Sequence, residues 1–139
     1  MKQDNVSNLT KLGSRETNYQ YDSPSIDMLE AFENQYPKRE YKTEFIFEEF
    51  TSLCPKTHQP DFATIKVEYI ADKLCLETKS LKMYFLAYRN EGSFMETITN
   101  RILEDIFEVI TPRWIKITAN FKARGGTLIN ITAEEGAYC

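Results

Sequence analysis

The spacing of apolar and polar residues divides the chain into stretches of different period. From Tyr41, "YKTEFIFEEF" alternates in part around Phe45 and Phe47, a two-residue period that predicts a strand. After a short loop, "FATIKVEYI" alternates without a break. Phe62, Thr64, Lys66, Glu68 and Ile70 fall on one side, with Ala63, Ile65, Val67 and Tyr69 on the other. The turn pair Asp72-Lys73 and the short run "LCLET" then predict that 62–78 folds back as a hairpin. In "SLKMYFLAYRN" the period lengthens: Leu81, Tyr84, Phe85 and Tyr88 recur at helical spacing until Glu91-Gly92-Ser93 breaks it. "FMETITNRILEDIFEVI" is the strongest helix signal, with Ile98, Ile102, Leu103, Ile106, Phe107 and Ile110 on one broad face. Ser93 is its expected N-cap, Glu96 stands at capping-box spacing, and Pro112 ends it. "RWIKITANFKA" and "TLINITA" then alternate as two strands around the turn Arg124-Gly125-Gly126.

Upstream, "SPSIDMLEAFENQYP" offers one short helical turn, with Ile26, Leu29, Ala31 and Phe32 apolar and Pro37 closing it. Residues 1–23 read as a polar N-terminal arm and 24–139 as a single domain. The order ββααββ predicts an α+β fold, an antiparallel sheet with two helices packed on one face. The other face and the sheet edges then need cover, so a homo-oligomer is expected.

At 139 residues the chain suits one compact domain. A net charge of −4 supplies no basic field, so no direct nucleic-acid partner is expected. No apolar run approaches the roughly 20 residues that span a bilayer, and the polar start has no secretory h-region. Cys54, Cys75 and Cys139 make an odd count without metal-ligand spacing, which fits a reducing cytoplasm better than a disulfide framework. With one histidine and no C-x-x-C, no metal site is expected. Cys75, in an apolar run, reads as core; Cys139, at the terminus, reads as exposed.

The concentration of chemistry lies in "SLCPKTHQPDFA", residues 52–63. A thiol, an ammonium, the chain's only imidazole and a carboxylate share a segment whose prolines forbid a regular helix. Either this is a reactive centre on a loop, or a turn whose polar residues face water.

Together "FTSLCPKTHQPDFA", "ETKSLKMY" and "YRNEGSFMET" resemble the short single-domain nitrile reductases of queuosine biosynthesis, the 7-cyano-7-deazaguanine (preQ0) reductases. The likeness runs from about Leu12 to Ala133. It implies a tunnelling fold (T-fold), pentameric barrels stacked as a decamer, and active sites between subunits. It also implies reduction of preQ0 to 7-aminomethyl-7-deazaguanine (preQ1) by two NADPH. By this resemblance Cys54 is the nucleophile and Asp61 the acid. Leu76, Glu77, Thr78, Met95 and Glu96 line the substrate pocket, Glu96 reading the guanine-like edge. Lys79, Ser80, Lys82 and Tyr84 hold the cofactor, with Arg124 as a further cofactor residue. There is no G-x-G-x-x-G, so a Rossmann mode of binding is excluded.

The loop's chemistry agrees. A thiolate adding to a nitrile gives a thioimide that is easier to protonate and reduce, which splits one hard step into easier ones. The thiol needs a nearby cation, for which Lys56 is the local candidate. Asp61 can protonate the nitrogen if burial raises its pKa. Two positions depart from the family pattern. Met95 stands where the family has histidine, and His58 where a small residue, often glycine, precedes "QPDF". His58 either restores a titratable group to the pocket or is a surface residue. Because Met95 cannot donate or titrate, two alternatives stay open: an amidine-forming relative that works on the nitrile without NADPH, and a non-catalytic covalent preQ0 binder.

Overall fold

A computed structural model of the chain describes residues 23–137. Most of the expected arm (1–22) and the terminal Cys139 lie outside the described residues. The main sheet has the order β2-β3-β5-β6, antiparallel throughout. Its strands are β2 (Lys42–Leu53), β3 (Pro60–Ile70), β5 (Trp114–Arg124) and β6 (Thr127–Gly136). Helices α1 (Thr78–Leu86) and α2 (Met95–Ile110) both lie on one face, as the ββααββ order predicts.

The alternation in 62–70 is borne out. Ala63, Ile65, Val67 and Tyr69 are buried beneath the helices, facing Phe121, Ala119, Ile117 and Ile115 of β5. From α1 come Leu81, Tyr84 and Phe85, and from α2 Ile98, Ile102, Leu103, Ile106 and Ile110. The outer face carries charge: Glu68 sits between Lys42 (3.1 Å) and Lys66 (3.6 Å), and Lys66 also reaches Glu44 (3.3 Å). Desolvation opposes the Glu68 carboxylate, but the surrounding lysines outweigh it and hold its pKa below the usual range.

The expected hairpin over 62–78 does not form. Leu74–Leu76 (β4) pairs instead with Ala31–Glu33 (β1), a separate two-stranded sheet in which Phe32 faces Cys75. A three-residue strand carries too little pattern to choose its partner, and β3 has already spent both edges on β2 and β5. The Ser-Pro segment yields one 3-10 turn, Ile26–Met28, before the chain extends into β1. The hairpin that does form is β2–β3, closed by Cys54–Gln59.

A polar knot ties the helices together. Tyr84 donates to Asp105 Oδ2 (2.6 Å), which leaves Tyr88 to donate to the Tyr84 oxygen (2.8 Å). Neither phenol is exposed, and burial pushes both pKa values up, that of Tyr88 to about 12. Arg101 stacks over Tyr88 at 5.7 Å, pairs with Glu91 (3.5 Å) and donates to Pro24 O (2.5 Å). Tyr84→Phe strips one partner each from Asp105 and Tyr88. It is expected to lower unfolding free energy by about 1–3 kcal/mol in urea titration; an unchanged midpoint would show that the knot adds nothing.

Candidate active site

The β2–β3 connection is closed by backbone. Cys54 N–H donates to Gln59 O (2.9 Å), and His58 N–H donates back to Cys54 O (3.0 Å). This tight path puts His58 at φ 59, in the left-handed region that favours glycine. The residue is exposed. That is the backbone reason why a small residue suits this position.

Turning here brings the N–H groups of Lys56 and Thr57 under the sulfur of Cys54. The thiol pKa falls to about 7, chiefly through the Thr57 hydroxyl, then the Thr57 and Lys56 amides, with a smaller contribution from Arg124; burial opposes them. The expectation for Lys56 is thereby corrected. It acts through its backbone, and the cation that reaches the thiol is Arg124, from the β5–β6 turn.

Asp61, at the start of β3, is 7% exposed. Burial was expected to make it an acid, yet Arg124 Nη2 lies 2.6 Å from Asp61 Oδ1, in an ion pair. The same nitrogen donates to Gln59 O (3.3 Å). Directly across from Asp61 in the strand register stands Ser52, fully buried, its hydroxyl without a partner among the described residues. Sequence reading missed Ser52. Its signal was visible only in hindsight, as a serine on the core side of a strand.

The start of α2 lies against this loop. Leu53 N–H donates to Glu91 O (2.9 Å), and Ser93 N–H donates to Leu53 O (3.2 Å). The expected Ser93 capping box is absent: Phe94 is the N-cap, and no side chain caps the helix. Ser93 is held by Leu53 instead, so Glu96 is left exposed in the first helical turn. Met95 packs partly buried against the core.

The other expected residues gather elsewhere. Leu76 is buried, and its N–H donates to the Tyr69 hydroxyl (3.0 Å). Glu77 is the N-cap of α1, accepting from the N–H groups of Lys79 (2.9 Å) and Ser80 (2.6 Å), which pull its pKa down. Ser80 is buried, donating to Glu77 O (2.8 Å) and accepting from Glu30 N–H (3.0 Å). Tyr84, expected at the cofactor, has no exposed surface in this chain and serves the helix knot; the helical period that placed it on the apolar face was the better guide. Lys79 and Lys82 are exposed. Thr78 opens onto a cleft of about 500 Å³ lined by Phe32, Tyr36, Tyr41, Phe45, Tyr69 and Leu76.

These two groups occupy opposite ends of strand β2. Helix α1 begins beside Phe45 of β2 and runs along that strand toward Leu53, next to Cys54. At about 3.3 Å per residue, the intervening strand separates the groups by roughly 25 Å.

An antiparallel sheet with two helices packed on one face is the architecture of a class, the tunnelling-fold proteins. The crystal structure of the archaeosine synthase QueF-Like in the apo form shares the fold, with a TM-score of 0.60 and 24% identity over 73% of this chain and 95% of its own. The family model for QueF-like protein matches residues 60–138. An NADPH-dependent 7-cyano-7-deazaguanine reductase of Nitratidesulfovibrio vulgaris (strain DP4) is 50% identical over 131 residues, 94% of this chain and 79% of its own length. Proteins of the same name in Chloroherpeton thalassium and Streptococcus mutans serotype c are 52% and 45% identical. They cover 77% and 94% of this chain, and 92% and 80% of their own lengths. The chain belongs to the QueF-like family.

Two measurements check the loop. Alkylation of Cys54 should show a midpoint near pH 7, its rate falling about tenfold per pH unit below that as thiolate is lost; Thr57→Val should move the midpoint up. A wild-type midpoint at the ordinary thiol value would remove the activation. His58→Gly should relieve the left-handed backbone and stabilise the fold by about 0.5–1 kcal/mol, read as a rise in Tm; a fall would show that the imidazole has a structural partner.

Proposed function

We propose that this chain reduces the nitrile of preQ0 to the primary amine of preQ1 with NADPH, through a thioimide on Cys54. The observation that carries this reading is the Cys54 thiol, surrounded by hydrogen-bond donors of its loop that bring its pKa to about 7, with the Arg124–Asp61 pair at the loop's far end. Reductases at about half identity over most of the chain support it. No described helix is long and apolar enough to cross a membrane, and a reduced thiol suits the cytoplasm.

In the first step the Cys54 sulfur bonds to the cyano carbon, one C≡N π bond breaks, and its electron pair goes to nitrogen, which takes a proton. Asp61, at the start of the strand that follows the loop, carries that proton from the thiol to the nitrogen. Glu96, free of a capping role, can accept two charge-assisted hydrogen bonds from the N–H groups of the deazapurine.

NADPH supplies hydride, two equivalents per nitrile. Exposed Lys79 and Lys82 fit its phosphates as point charges. The first amides of α1 do not, because Glu77 occupies them. Ser80 and Tyr84 then serve the cofactor by holding α1 in place.

Leu76, Thr78 and the lysines lie too far from Cys54 to act with it in one copy, which supports a site assembled from neighbouring subunits. The open edges β2 and β6, together with exposed Ile46, Phe62 and Leu128, offer surface for such assembly. A decamer of two pentamers is the arrangement the family resemblance suggests. The amidine-forming alternative draws on the archaeosine synthase likeness, which at 24% identity concerns the fold alone.

Intact mass should rise by the mass of preQ0 on mixing, and Cys54→Ala should abolish both the adduct and turnover. Two NADPH should be oxidised per nitrile; an adduct without NADPH oxidation would point to amidine formation or simple trapping. Mixing Cys54→Ala subunits with Lys79→Ala/Lys82→Ala subunits, each nearly inactive, should restore activity through hybrid sites. Failure to do so in oligomers that exchange subunits would place both groups in one copy.

A further inference from the structure

Arg124 is tied by family resemblance only to the cofactor, yet its surroundings assign it a different task. It ends β5 just before a turn whose glycines take φ 58 and 77, with open space where either Cβ would stand. Those glycines are needed for their backbone angles, and the tight turn they form delivers one guanidinium to the β2–β3 connection. There Nη2 meets Asp61 Oδ1 at 2.6 Å and Gln59 O at 3.3 Å. Gln59 O is also the acceptor for Cys54 N–H (2.9 Å). One side chain therefore grips both the acid and the clasp that closes the nucleophile's loop.

We propose that Arg124 is a positioning residue for sulfur addition, fixing Asp61 and the Cys54 loop relative to each other, and not a contact to a cofactor phosphate. A phosphate drawn to this guanidinium would press against the Asp61 carboxylate, a like-charge contact in a largely desolvated place. Arg124 is partly buried, and its geometry suits a carboxylate and a carbonyl held side by side. Of the charged side chains near the loop, Arg124 acts on the sulfur, whereas Lys56 reaches it through its backbone amide and its ammonium is exposed. Ser52, buried and unpartnered opposite Asp61, leaves the carboxylate with no second anchor from β2.

This inference rests on Cys54 being the nucleophile, so the test carries one measurement that needs no substrate. Arg124→Ala and Arg124→Lys are compared with wild type in three ways: the pH profile of Cys54 alkylation by iodoacetamide, the rate of preQ0 adduct formation without NADPH, and KM for NADPH. In Arg124→Ala the alkylation midpoint should move up and adduct formation should slow about 100-fold, the scale of a misplaced reacting group. Lysine should recover part of both, and KM for NADPH should stay near wild type.

An unchanged adduct rate and alkylation profile with a raised KM for NADPH would overturn the proposal in favour of a cofactor contact. Loss of adduct formation that lysine does not relieve, with an unmoved alkylation profile and a lowered Tm, would reduce Arg124 to a structural role and overturn it equally. If wild type forms no adduct while Arg124→Ala still moves the alkylation midpoint, the substrate reading fails and the positioning of the thiol stands.

Discussion

Everything chemical in this protein depends on how six residues between two strands close on themselves. A sulfur half ionised near neutrality needs donors aimed at it, and here the Thr57 hydroxyl is joined by two backbone amides whose direction the chain path dictates. That path is set by the Cys54–Gln59 clasp, the return bond from His58 and a left-handed residue between them. The clasp in turn requires the β2–β3 register, which carries Leu53 opposite Pro60 and Ser52 opposite Asp61. The register is held because a shift by one residue would turn Ala63, Ile65, Val67 and Tyr69 out of the core. Core packing and thiol chemistry are thus two readings of one alignment.

The alternation of 62–70 and the long face of α2 were legible because each residue's burial there follows directly from its place in a regular element. Loss of legibility began where partners were distant. Nothing within "LCLET" says that it will pair with Ala31–Glu33, while the strand nearest in sequence is 62–70. In the site, Cys54 and Asp61 were visible as residue types, and the "QPDF" context marked a constrained turn before any backbone angle was known. The source of thiol activation was not visible, because a sequence displays the Lys56 ammonium but shows neither the direction of the Thr57 hydroxyl nor the amides beside it. Arg124 was singled out for the cofactor, and only the β5–β6 turn shows it beside the carboxylate. Tyr84 was claimed by a motif, although its helical spacing already placed it with Leu81 and Phe85 in the core.

The two ends of the domain are joined by more than β2. Helix α1 starts at the Glu77 cap and is tied to α2 by the Tyr84–Asp105 bond; past its end at Leu86 one 3-10 turn, Ala87–Asn90, leads to Glu91, whose carbonyl receives the Leu53 amide. Arg101 binds Glu91 as well, so the segment leading to α2 is held on both sides. Residues around Lys79 and residues around Cys54 therefore share a continuous hydrogen-bonded frame.

The Glu77 cap has a consequence for any anion that settles near α1. With the leading amides saturated, attraction must come from ammonium groups on long, wet side chains. Such attraction fades as mobile ions crowd in, over a Debye length of about 10 Å at 0.1 M. Affinity there would be soft and strongly dependent on ionic strength, unlike the salt-resistant grip of a glycine-rich cradle on a pyrophosphate.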